Sequence, residues 1–275
     1  MRQTSRALLL FGLLALPAMA ACDVRVGENG IDVDMSQGRA SDEWTRTYPL
    51  SPNGRIEIVN ANGQIEALPA SGRDVEVFIE RNAQGNSDEE ALELLRAIEM
   101  REQVSPDSIR IEGRVPEGRG FRRNGIRLRY RIRVPAGASV SLRTENGGIR
   151  LEDLNAKIEA STTNGGITGE DVSGGVKATA VNGGIRLDMA AVTSDVEASV
   201  TNGGVRLELP ADIKANLEAS CINGGVRVDD ELKLVSSETS RGRTVGTLNG
   251  GGVKILATTV NGGVSLSARG QERRN

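Results

Sequence analysis

The side chains best suited to chemistry in this chain of 275 residues are guanidinium groups, carboxylates and carboxamides. Arginines stand at 119, 122, 123, 127, 129, 131 and 133, and the last four alternate with Ile126, Leu128, Tyr130, Ile132 and Val134. A period of two puts Arg127, Arg129, Arg131 and Arg133 on one outward strand face. Guanidinium forks grip carboxylates, sulfates and phosphates. The face is therefore a candidate surface for anionic envelope material such as lipid head groups, lipopolysaccharide or wall polymers. Glu117 is the one carboxylate close in sequence. The other reading is an edge strand whose charge prevents aggregation.

A second set is periodic. Asn-Gly-Gly begins at Asn146, Asn164, Asn182, Asn202, Asn223 and Asn261, each time followed by Ile or Val, with a variant at Asn249. Such a row of amides either binds carbohydrate or ions, or builds turns. Because Asn arrives with Gly-Gly every time, the turn reading is preferred: Gly supplies positive φ, and Asn tolerates it while bonding turn backbone. Stacked corners would let the Asn side chains bond one another as a ladder. Arg150, Arg186, Arg206 and Arg227 follow the corners, and two residues further on come Glu152, Glu170, Asp188, Glu208 and Asp229. Neighbouring columns of opposite sign read as a solvated, self-neutralising face and a poor polyanion site.

What is missing limits the chemistry further. There is no histidine, and there is no G-x-S-x-G, phosphate loop or Cys/His metal cluster. The reading is therefore non-enzymatic, with no catalytic, cofactor-binding or metal residues and no evident small-molecule substrate. A polysaccharide-active β-helix enzyme is a remote alternative, for which only 229–248 could wall a groove. A net charge of −3 gives no footprint for nucleic acid.

The N-terminus reads as an export signal over 1–21. Arg2 and Arg6 precede an apolar run over 7–16, too short for a membrane span, and small residues lead to Cys22. Cleavage after Ala18-Met19-Ala20 would release a soluble periplasmic protein. Cleavage before Cys22 would make it a lipid-attachment site and leave a membrane-anchored lipoprotein facing the periplasm or cell surface. The polar stretch 22–44 reads as a flexible acidic tether. Cys221 is expected to be a small buried hydrophobe.

The elements that position these groups follow from the repeat. Aligned on the Asn, apolar columns fall at −6 (Val140, Ile158, Val176, Val196, Leu217, Ile255), −4 (Leu142, then five alanines), +3 and +5. This is two strands per coil with one face buried, and successive coils should stack roughly 4.8 Å apart. The expected fold is all-β, a single-stranded β-solenoid of two-strand coils of about 18–21 residues. Five stacked alanines bring the walls too close for a ligand cavity. The regular stack is placed at 136–269 and a tail at 270–275. One earlier match, Asn62-Gly63-Gln64-Ile65, opens a wider N-terminal part over 45–135. There Ser87-Asp88-Glu89-Glu90 caps a helix over 87–102 with Leu92, Leu95 and Ile98 on one face. The insertion 229–248 reads as a loop or a C-terminal cap.

Val134-Pro135-Ala136-Gly137-Ala138, Thr144-Glu145-Asn146-Gly147-Gly148-Ile149 and the closing Leu248-Asn249-Gly250-Gly251-Gly252-Val253 and Thr259-Val260-Asn261-Gly262-Gly263-Val264 resemble the bacterial putative-adhesin domain family. That resemblance, over roughly 55–266, implies a β-solenoid in envelope proteins and brings no catalytic residues. The expected function is a non-catalytic envelope module that binds a protein or envelope polymer or serves structurally. The alternative is an envelope-stress sensor or regulator acting through a partner protein.

Overall fold

The computed structural model describes residues 24–27, 30–33, 38–114 and 125–270. Its body is a β-solenoid. A regular coil is one strand, an Asn-Gly-Gly corner and a second strand, as in Ser139–Asn146 and Ile149–Glu152. Successive coils pair in parallel and in register, so that Val140 meets Ile158, Ile158 meets Val176 and Val176 meets Val196. The predicted apolar columns are the buried ones, save that Val226 and Val228 of the terminal coil are half-buried, and Ala160, Ala178, Ala198, Ala219 and Ala257 are at most 1% exposed. The two walls are therefore close, and small aliphatics fill the space between them, as a repeat with few rings requires.

The corner explains its own composition. A Cβ at Gly165 would lie 2.1 Å from the Gly147 carbonyl oxygen of the adjacent coil. A Cβ at Gly147 would in turn lie 2.0 Å from that of Gly63. The backbones meet so closely here that a side chain on the first glycine would separate the coils.

The stacking order departs from the sequence order at both ends. Named by their corner asparagines, the coils run Asn62, Asn146, Asn164, Asn182, Asn202, Asn261, Asn223. The last coil, Val253–Asn261 with Val264–Ala268, is inserted between the two before it, pairing in parallel with both. The first is inserted in the same way. Arg55–Asn62 and Ile65–Pro69 lie between the Asn146 coil and the layer formed by Ser108–Arg114 and Ile126–Val134. The expectation that successive coils stack on one another is corrected for these two coils. Equally, 70–114 and 125–134 do not separate the Asn62 coil from the regular stack but add layers beyond it.

Two linkers make this possible. Residues 135–138 and 210–214 each begin with proline and step over an inserted coil. Ala70 N donates to Val134 O at 2.8 Å, and Arg269 N donates to Leu209 O at 2.7 Å, which ties each inserted coil to the strand preceding its crossover. Proline ends a strand because it offers no ladder donor.

Antiparallel strands close the ends. Asp74–Gly85 pairs with Ile126–Val134, and Gly38–Pro49 pairs with Asp74–Gly85 over twelve positions. The tether expected through 44 is thus corrected for 38–44, which is strand. Its Trp44 and Tyr48 pack inward, while the polar alternate positions hid the pattern. A short antiparallel hairpin, Val24–Gly27 with Gly30–Val33, lies within the same expected tether.

The helix is Asp88–Arg96, shorter than the expected 87–102, and Glu99–Ser105 is a strand. Ser87 caps it by accepting from Glu90 N at 3.2 Å. Leu95 and Ile98 are buried, but Leu92 faces solvent and Leu94 takes its place inside. The helix packs on the two outermost strands. At the other end, 229–248 is a cap: a 3-10 turn at Asp230–Leu232 and the hairpin Leu234–Thr239 with Arg243–Leu248, antiparallel to Ala215–Asn223.

Candidate functional site

The repeated carboxamides form a ladder. Each Nδ2 donates to the Oδ1 of the next Asn, in the order Asn146 to Asn62, Asn164 to Asn146, Asn182 to Asn164, Asn202 to Asn182, Asn261 to Asn202 and Asn223 to Asn261, at 2.7–2.9 Å. Each interior rung thus commits one amide hydrogen and one oxygen lone pair to its neighbours. Inside the corner, Thr144, Thr162 and Thr259 donate to the carbonyls of Gly63, Gly147 and Gly203 at 3.1, 2.8 and 2.7 Å. Asn249, read from sequence as a variant corner, does not join the ladder. Its amide clamps a crossover by donating to Ala211 O at 3.1 Å and Ile213 O at 2.9 Å.

Ile126–Val134 presents Arg127, Arg129, Arg131 and Arg133 outward, as the alternation required. It is not an edge strand, because Ile65–Pro69 and Asp74–Gly85 flank it. Those neighbours carry the acidic counterweight. Arg131 pairs with Glu66 at 2.7 Å, Arg129 with Glu80 at 3.4 Å and Arg133 with Glu76 at 3.6 Å. The hydrogen bond from Arg131 to Glu66, and then the charge of Glu66, raise the Arg131 pKa. These partners are far away along the chain, whereas Glu117 is the acid near in sequence. Arg119, Arg122 and Arg123 lie outside the described residues, as does Cys22.

Along the regular coils, Arg150 pairs with Glu152 and, at 3.2 Å, with Glu170. Arg186 pairs with Glu208 at 2.7 Å. Arg269, which stands outside the repeated arginine column in the sequence, pairs with Asp188 at 2.7 Å and also reaches Asp171. Within this arginine column, the pairing among the described residues stops after Arg186. Arg206 and Arg227 flank Ser265 of the inserted coil in register, and neither has a carboxylate within 4.0 Å among the described residues. They line a shallow groove of about 670 Å³ with Arg186 and Ser265. The second glycines of four corners, Gly184, Gly204, Gly225 and Gly263, form its floor. From sequence alone, Arg227 follows Arg206 directly in its column. The gap between them is visible only once the inserted coil is placed.

Cys221 is a free, buried thiol in the inward Thr/Ala/Val column, as expected. Among the described residues no group of three or more His, Cys, Asp or Glu could hold a metal, and no helix is long and apolar enough to cross a membrane.

The sequence profile of the Toastrack DUF4097 family matches residues 55–267, from the first coil to the inserted last one. The chain belongs to this family. Among solved structures, a putative cell adhesion protein from Clostridium sporogenes is similar to this Toastrack chain with a TM-score of 0.53 at 10% identity, covering 84% of this chain and 100% of its own. A putative adhesin from Bacteroides fragilis covers 82% of this chain and 97% of its own at 10% identity, with a TM-score of 0.29. The first likeness supports the shared Toastrack fold, and at that identity it carries the fold alone. No match was found among curated proteins.

Proposed function

We propose that this Toastrack protein is a non-catalytic, exported module of the cell envelope. In this reading it presents a rigid strand surface to an envelope polymer or protein, and a lipid on Cys22 holds it at a membrane. The observation that carries the reading is the commitment of its repeated polar groups to the scaffold itself. Six carboxamide bonds join seven coils into one rod, and the columns between the walls are filled with side chains. What remains for function is the outside of a stiff, preorganised surface, which binds without a large ordering cost. The basic n-region, short apolar run and small residues before Cys22 support export and anchoring.

The test is made in cells. Labelled palmitate should enter the wild-type protein and not Cys22→Ser, and the wild type should fractionate with membranes. The purified folded body should also co-sediment with isolated envelope material. Palmitate uptake by neither protein would overturn the anchor, and the absence of any envelope binding would overturn the binding module.

A further inference from the structure

We infer that the groove at the late end of the stack binds an extended anionic glycan through Arg206 and Arg227; the inference rests on the envelope-module reading and names its ligand class. The topology creates the site. Had the coils stacked in sequence order, Arg206 and Arg227 would be neighbours one strand spacing apart. Instead the inserted coil puts Ser265 between them in register, with Ser267 where other coils carry an acid. The arginines are thereby about two strand spacings apart, roughly 10 Å. The acids that could neutralise them are engaged elsewhere. Glu208 holds Arg186 at 2.7 Å, Asp188 is held by Arg269 at 2.7 Å, and Asp229 accepts from Glu231 N at 3.2 Å to cap the 3-10 turn.

The shape of the groove agrees with a chain lying along the stack axis. Glycines at the second corner position leave the floor without side chains, so a ligand can approach the backbone. Ser265 and Thr168 add hydroxyls to the lining. Guanidinium groups in single file suit carboxylate, sulfate or phosphate groups spaced along one polymer. An anionic membrane would need a broad basic surface, whereas acidic columns border this one. Single-stranded nucleic acid would need aromatic platforms, and none lines the groove.

The experiment measures binding of the full chain to polygalacturonate, to dextran sulfate and to phosphorylated dextran, with neutral dextran as control. Vesicles containing anionic lipid serve as a further arm. Wild type should bind at least one charged polymer, ignore neutral dextran and lose binding as salt rises. Arg206→Gln with Arg227→Gln should raise Kd roughly tenfold or more, as expected on losing contacts to a charged group. Ser265→Glu, which supplies the missing acid between the two arginines, should do the same. Unchanged melting and circular dichroism would show that all variants fold. Which polymer is preferred separates carboxylate, sulfate and phosphate. Unchanged affinity in the double variant, or binding to vesicles in place of polymers, would overturn the inference. Should the double variant still co-sediment with envelope material, the groove assignment fails while the module reading stands. If wild type fails to co-sediment at all, both fail.

Discussion

Asn261 donates its side-chain amide to Asn202 at 2.7 Å across 59 positions of sequence, and accepts from Asn223 at 2.8 Å. The last coil is thus the link that continues the ladder between two coils that precede it in the chain. Replacing Asn261 with Ala removes both bonds at once. Net hydrogen bonds contribute about 0.5–1.5 kcal/mol each, so a loss of about 1–3 kcal/mol is expected in urea melts. Asn223→Ala removes the single bond at the ladder's end and should cost about half as much.

The interleaved order can be tested with engineered disulfides. Thr258 lies between Ser199 and Ser220, in register with both, and its Oγ1 is 3.2 Å from Ser199 Oγ. In a Cys221→Ala background, the cysteine pairs 199/258 and 220/258 should form disulfides under mild oxidation. The pair 199/220 should not, because two strand spacings, roughly 10 Å, exceed the span of a disulfide. A solenoid stacked in sequence order predicts the opposite result for 199/220, and mass spectrometry of the oxidised proteins distinguishes the two.

The corner glycine is the position least open to change. At Gly262, φ is +152° and an added Cβ would lie 2.1 Å from Gly203 O. Gly262→Ala should therefore cost about 3 kcal/mol or more, beyond the usual range for a surface change. Its hydrogen exchange should rise at the 202–205 and 261–264 corners first. Gly250→Ala offers a contrast, since nothing lies within 4 Å and only the backbone conformation, φ +90°, resists it.

One substitution should improve the fold. Thr144, Thr162 and Thr259 each donate to the first glycine carbonyl of a neighbouring coil, whereas Val200 has no hydroxyl to offer Gly183 O. Val200→Thr is close to isosteric and adds that donor in a column already shaped for threonine. A gain of about 0.5–1 kcal/mol is expected, read as a higher urea midpoint at unchanged slope.

The solenoid and its inward columns were legible in the sequence because they are local and repeated. The Asn, the two glycines and the period-two apolar positions specify a coil within about twenty residues. The strand at 38–44 was less legible, since one buried face among charged residues looks like tether. Export and a lipid on Cys22 are read from residues outside the described ones and stand as proposals.

Sequence by itself determined what each coil is, and tertiary structure decided where each coil goes. The physical reason is degeneracy. Every coil presents nearly the same Ile/Val, Ala and Leu columns, so any coil can dock on any other, and the pattern cannot rank the choices. The order is set by long-range features: the proline-led crossovers at 135–138 and 210–214, the antiparallel caps and the clamp of Asn249 on one crossover. The arginine faces follow the same logic. Period two fixed that Arg127, Arg129, Arg131 and Arg133 share a side, but only cross-strand neighbours determined that Glu66, Glu76 and Glu80 neutralise three of them. Insertion of a serine-bearing coil likewise left Arg206 and Arg227 beside a groove with no carboxylate partner among the described residues.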